Sequence, residues 1–205
     1  MSPKIQICIP CMDTVPTQFL GSIMSLQRTP ETSMSVEMGT MIYLARNNLA
    51  TKAMDNDIEW TMWFDSDMVF PPDTMIRLLN TAIDRRIDIL STVCYRRRPP
   101  YSPVLFDKLT IDEKTGWADF TERTEVPDEI FEVAATGFAC TLVNTRVFRE
   151  VRNINYSMFQ PIYNNSEDLS FCWRARQAGF KIYADPSLNV GHVGHMVFGK
   201  ETYKK

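Results

Sequence analysis

No apolar run in this chain of 205 residues approaches the ~20 residues needed to cross a bilayer, so no membrane span is expected. Positive charge is not in excess either. Lys and Arg number 22 against 25 Asp and Glu, a formal net charge of -3. That balance excludes bulk electrostatic binding to nucleic acid or anionic membrane, though not a local basic patch. The opening Met1-Ser2-Pro3-Lys4 passes straight into a strand pattern, without the apolar region of a secretory leader. Paired cysteines are missing as well. The five cysteines are scattered, and no second Cys pair or Cys/His pair stands at finger spacing. Disulfides and structural zinc are therefore not expected, and a reducing, cytoplasmic setting is. The one C-x-x-C, Cys8 to Cys11, is followed by Met12-Asp13-Thr14-Val15-Pro16, which reads as a loop and not as the helix of a redox pair. Cys8 is expected in a buried strand and Cys11 in the loop after it. There is no internal repeat, low-complexity tract or linker. The length suits one α/β domain with a substantial core.

Periodicity places the elements. Lys4 to Ile9 reads as a strand ended by Pro10. Phe19, Ile23 and Leu26 have helical spacing within 17–27. Ser33 to Met38 alternates as a strand does, and Met41 to Met54 carries Ile42, Ala45, Leu49 and Ala53 on one helical face. A buried strand over 58–64 follows, then a helix started by Pro71-Pro72-Asp73, with proline in its first turn, and a strand over 87–95. Alternating strands and helices predict βαβ units and a largely parallel sheet. Beyond Arg96 the pattern changes. A hairpin is expected around 112–116, strands over 131–135 and 138–144 broken at Thr136-Gly137, and a short helix over 146–151. An aperiodic loop should fill 153–165. Ser166 should then cap a helix running to about Gln177, with Gly179 at its end, before a last strand over 180–184.

The densest chemical signal is Asp65-Ser66-Asp67, directly behind Ile58-Glu59-Trp60-Thr61-Met62-Trp63-Phe64. Open α/β sheets bind ligands outside the carboxyl ends of their strands. Two carboxylates there suit one divalent cation, Mn²⁺ or Mg²⁺, shared with substrate phosphates. The alternative is a solvated turn before the next helix. The only histidines, His192 and His195, lie among glycines near the C-terminus, and a neutral imidazole is a sound third ligand beside carboxylates. Arg96-Arg97-Arg98, flanked by Tyr95 and Tyr101, is either a solvated run or a grip on an anionic acceptor.

Several blocks together resemble the inverting, family-2-like glycosyltransferases of the GT-A fold. They are Ile7-Cys8-Ile9-Pro10, Ala45-Arg46-Asn47, Trp63 to Asp67, Thr136-Gly137, Ser166-Glu167-Asp168 with Arg174 and Gly179, and Gly191-His192-Val193-Gly194-His195. The resemblance implies a Rossmann-like, mostly parallel sheet with flanking helices and a small antiparallel acceptor-side element. It implies one domain, with 1–95 as the nucleotide-binding half and 96–205 as the acceptor-side half. It implies transfer of a sugar from a nucleotide-diphosphate donor, a UDP-sugar first. Donor contacts would come from Pro10, Met12, Asp13, Arg46, Asn47, Asp65 and Ser66. Asp65 would lie near the ribose or a metal-bound water, Asp67 would ligate the metal, and His192, with His195 behind it, would complete the shell. Asp168 would be the general base, with Glu167 beside it, and Arg96, Arg97 and Arg98 would face the acceptor. The acceptor itself, whether glycan, protein or a hydroxylated DNA base, is left open. Two rivals stand beside this reading. A nucleotidyltransferase would show a Gly-rich, Arg/Lys-bearing loop after the first strand, and none is present. A non-catalytic nucleotide-sugar or glycan-binding module would not need Asp65, Asp67 and Asp168 together.

Overall fold

The computed structural model describes residues 2–194. In chain order the elements are β1 (Ile5–Cys11), α1 (Thr17–Ser25), β2 (Thr32–Met38), α2 (Ile42–Asp55), β3 (Trp60–Phe64), β4 (Met68–Val69), α3 (Thr74–Arg85) and β5 (Ile89–Thr92). There follow β6 (Leu105–Ile111), β7 (Ala118–Glu122), β8 (Phe131–Val133), β9 (Ala135–Thr136), β10 (Cys140–Asn144), α4 (Thr145–Ile154), α5 (Glu167–Gln177), β11 (Ile182–Asp185) and β12 (Gly191–His192). The main sheet has seven strands in the order β2-β1-β3-β10-β5-β11-β8. Strands β2, β1, β3, β5 and β11 run one way, and β10 and β8 the other. Its mostly parallel character and flanking helices are those of the GT-A fold. Among the described residues no helix is long and apolar enough to cross a membrane.

Strand β3 is buried along its whole length because helices cover both faces of the sheet. Its successive side chains enter opposite cores. Trp63 joins Phe138, Phe148 and Phe159 on the α2/α4/α5 side, with ring centroids 5.3, 5.9 and 5.6 Å away. Phe64 stacks on Phe70 at 4.0 Å on the α1/α3 side. The indole N–H of Trp63 donates to Thr61 Oγ1 at 2.8 Å, so the buried ring leaves no polar atom unpaired.

Three local expectations need correction. Strand β1 runs through Pro10 to Cys11, so Cys11 ends a strand and does not lie in a loop. Past Cys8 that strand pairs only with β2, where a proline is tolerated as at a sheet edge. Helix α3 starts at Thr74, after Asp73 as N-cap, so Pro71 and Pro72 precede the helix. The break at Thr136-Gly137 is a change of sheet. Strand β9 pairs with β6 in a three-stranded sheet, and the chain then returns to the main sheet as β10. Helix α5 begins as expected with Ser166 as N-cap, and Gly179, at φ 88°, follows its last turn.

Candidate active site

The turn after β3 holds its two carboxylates in different surroundings. The Asp65 N–H donates to Ala139 O at 2.8 Å, which ties the turn to the loop before β10. The Asp65 carboxylate accepts from Arg46 Nη2 at 2.9 Å. Arg46, on α2, is buried. It also donates through Nη1 to Phe138 O at 3.2 Å, lies 5.0 Å from the Phe138 ring centroid, and places Nε 3.3 Å from Glu167 Oε1. That Nε is buried without a well-directed hydrogen bond. One guanidinium thus bolts the end of β3 to the start of α5. Burial raises the pKa of both Asp65 and Glu167, and the Arg46 charge opposes the rise in each.

Asp67 faces the other way. Strand β12 pairs antiparallel with β4, setting His192 opposite Met68, and the Val193 N–H donates to Asp67 O at 2.8 Å. This two-stranded ribbon puts His192 Nε2 3.3 Å from Asp67 Oδ1. On its far side, His192 Nδ1 lies 3.1 Å from Tyr95 O. A carbonyl only accepts, so Nδ1 carries the hydrogen. In the neutral ring the Nε2 lone pair then faces a carboxylate lone pair, and only a proton or a cation between them relieves that. The Asp67 hydrogen bond accordingly raises the His192 pKa. For Asp67 burial pushes the pKa up, but His192 and Arg97 outweigh it and hold the carboxyl below its ordinary range. Arg97 Nη1 donates to Asp67 Oδ2 at 2.8 Å.

A cleft of about 260 Å³ opens above this turn, lined among others by Pro10, Met12, Asp65, Ser66, Asp67, Arg97 and His192. Asp168 lies beyond the Arg46 bolt, in the first turn of α5. Its Oδ1 accepts from Leu169 N at 2.8 Å and from the Ser166 hydroxyl. Its Oδ2 lies 3.9 Å from where a Cβ on Gly137 would stand, so the glycine leaves room above it.

The other sequence candidates fall elsewhere. Asn47 points away from the cleft, its Oδ1 accepting from Met158 N at 3.2 Å and Phe159 N at 3.0 Å to anchor the loop before α5. Asp13 is not among the cleft-lining residues, and neither are Glu167 and Asp168, which join the site through Arg46 and the start of α5. Two of the three arginines are held by carboxylates, Arg96 by Glu122 at 2.7 Å and Arg97 by Asp67. His195 lies outside the described residues. Among the described residues no cluster of three His, Cys, Asp or Glu side chains converges as a ready-made metal site. All five cysteines are free and buried, and burial lifts Cys8 to about 12. Sequence reasoning missed the Tyr95 carbonyl and the Arg97–Asp67 pair. Tyr95 and Arg97 lie in the loop after β5, closed by the Tyr95–Pro103 bridge, where no periodicity would have placed them.

A family model described as Anp1 matches residues 27–108, less than half of the chain but including β2 to β5 and the Asp65–Asp67 turn. Among solved structures, A197 from STIV is similar with a TM-score of 0.69 at 15% identity, over 94% of this chain and 86% of that one. GalNAc-T7 with UDP, GalNAc and Mn²⁺ is similar with a TM-score of 0.64 at 12% identity, over 95% of this chain but only 44% of that one. No curated protein matches the sequence. At these identities the structural likeness is one of fold.

Proposed function

We propose that the protein is a divalent-metal-dependent glycosyltransferase, built as one catalytic domain, that transfers a sugar from a nucleotide-diphosphate donor to a hydroxyl with inversion. The observation that carries the reading is the Asp67–His192 pair at the carboxyl end of β3. Its imidazole Nε2 and carboxylate Oδ1 lie 3.3 Å apart at the rim of the cleft. A carboxylate oxygen and an imidazole nitrogen suit Mn²⁺ or Mg²⁺, with the remaining positions left to phosphate and water. When bound, such an ion supplies Lewis-acid neutralisation of the leaving diphosphate. The GT-A fold shared with GalNAc-T7, solved with UDP, GalNAc and Mn²⁺, supports a UDP-sugar as the first donor to test.

The remaining roles follow from placement. Asp67 and His192 would hold the metal, and the carbonyl of Tyr95 fixes the imidazole with Nε2 toward Asp67. Asp65, committed to Arg46, shapes the donor floor and faces the ribose side. Pro10, Met12 and Ser66 line the walls around the nucleotide. Asp168 takes the proton of the acceptor hydroxyl on Oδ2, because Oδ1 is already used by Ser166 and Leu169. Its place at a helix N-terminus keeps it ionised at some expense of basicity. With Arg96 and Arg97 engaged by carboxylates, an uncharged glycan or protein hydroxyl is a better acceptor than DNA. The test is a screen of nucleotide sugars with Mn²⁺ and with EDTA, reading donor hydrolysis and anomeric configuration. Mn²⁺-dependent release of nucleoside diphosphate with inversion is expected. No turnover of any nucleotide sugar, or pyrophosphate release from a nucleoside triphosphate, overturns the reading.

A further inference from the structure

Arg97 occupies the one side of Asp67 that His192 leaves open. Its Nη1 donates to Asp67 Oδ2 at 2.8 Å and to Val193 O at 3.2 Å. Its methylenes run over Gly194, where a Cβ would stand 3.4 Å from Arg97 Cδ. The side chain is half exposed, at 50%. Arg97 belongs to the loop closed by the Tyr95–Pro103 bridge, and the same loop supplies the carbonyl that orients His192. One loop therefore sets the imidazole on one carboxylate oxygen and covers the other with a fixed positive charge.

A divalent ion entering between Asp67 and His192 meets that charge a few ångströms away. Like charges at such range repel by an amount that a half-exposed side chain avoids by moving. A diphosphate arriving with the ion gives the guanidinium a planar, multiply anionic partner to move to. The neighbouring Arg96 lacks that freedom, since its side chain is more covered and held to Glu122 at 2.7 Å.

We propose that Arg97 is a donor-site residue that stands in for the cation at Asp67 in the donor-free protein and passes to the diphosphate when metal and donor bind. This rests on the assignment of Asp67 and His192 to the metal. It makes metal and diphosphate binding mutually reinforcing, since each removes an obstacle to the other.

The test uses calorimetric titration of the whole chain with Mn²⁺ alone and with preformed Mn²⁺–pyrophosphate, in wild type, Arg97→Gln, Arg97→Lys and Asp67→Asn. Arg97→Gln should bind Mn²⁺ alone about three-fold tighter, the scale of one partly exposed ion pair. It should bind Mn²⁺–pyrophosphate about ten-fold more weakly, as the loss of a charge-assisted contact implies. Arg97→Lys should retain part of the pyrophosphate affinity. A merely structural role would weaken both ligands together, and that result, or two unmoved affinities, overturns the proposal. The Asp67→Asn arm separates the causes. If it abolishes Mn²⁺ binding while Arg97→Gln changes nothing, only the role of Arg97 falls. If Mn²⁺ binding survives in Asp67→Asn, the metal assignment fails and the proposal falls with it.

Discussion

Asp168 differs from Asp67 in keeping one carboxylate oxygen without a hydrogen bond among the described residues. Asp65 is bound to Arg46, and both oxygens of Asp67 are matched by His192 and Arg97. Among the described residues no hydrogen bond reaches Asp168 Oδ2, which lies over Gly137. That is the condition a proton acceptor needs. Asp168→Asn preserves the contacts of Oδ1 and removes the base, so kcat should fall by roughly 10²-fold or more with donor affinity nearly unchanged. Steady-state kinetics with the active donor is the measurement. Near-normal turnover would move the base elsewhere, with Glu167 the first alternative. Arg46 raises a different question, because it is buried between two acids. Removing one partner of a buried ion pair costs about 3–5 kcal/mol, and Arg46→Met strands both Asp65 and Glu167. The loss should depend on pH. Glu167 already has a raised pKa from burial, and without Arg46 it rises further. A raised carboxyl binds its proton more tightly in the folded than in the unfolded chain. Stability is therefore greatest below the ordinary Glu pKa of about 4.3 and falls as pH climbs through the folded value. Urea unfolding of Arg46→Met should show a smaller deficit at mildly acid than at alkaline pH, and an identical deficit at both would count against the ion-pair account.

At the scale of elements, the start of α5 depends on how the β6–β7 hairpin meets the segment ahead of it. Tyr163 OH donates to Lys114 O at 2.7 Å and Asn165 Nδ2 to Gly116 O at 3.0 Å. The Tyr163 side chain packs against Gly116, where a Cβ would fall 2.4 Å from both Tyr163 Cβ and Cγ. Gly116 has φ 74° and Tyr163 φ 52°, so both chains are bent into the left-handed region at the point of contact. Three residues after Tyr163 come Ser166, Glu167 and Asp168. Gly116→Ala should thus combine an unfavourable φ with overpacking and destabilise by about 2 kcal/mol. A shift in the denaturation midpoint reads the stability, and kcat reads whether the hairpin supports Asp168. An unchanged midpoint would show that Tyr163 yields without cost. The ribbon of β4 and β12 plays the matching part at the end of β3, since a register slip of one residue would turn His192 away from Asp67.

For the molecule as a whole, the site lies where β3 ends between two aromatic cores, and the groups that complete it come from distant parts of the chain: Arg46 on α2, Tyr95 and Arg97 in the loop after β5, Glu167 on α5 and His192 on β12. Binding there should stabilise the entire fold by mass action. UDP with Mn²⁺ at about 100 times its Kd should add about 2.7 kcal/mol, read as a rise in Tm that EDTA reverses and Asp67→Ala abolishes. UDP stabilising equally well in EDTA would contradict a metal-bridged site.

What the sequence determined by itself is the part governed by local periodicity and local chemistry. Trp60 to Phe64 is apolar on both faces, so it had to be an interior strand, and Asp65 to Asp67 had to lie at its exposed end. Ser166 stands at the N-cap of α5, though its hydroxyl turns to Asp168 and caps no backbone N–H, and Gly179 follows the last turn because the left-handed position selects glycine. Tertiary structure decided which charges meet. The identity of Arg46 said nothing about its lying between Asp65 and Glu167, and three adjacent arginines read as one patch until the loop sent Arg96 to Glu122 and Arg97 to Asp67. The ribbon that brings His192 to Asp67 is two residues long on each side. A pairing that short leaves no repeating pattern in the chain, and its position follows only from the packing that brings residues 68 and 192 together.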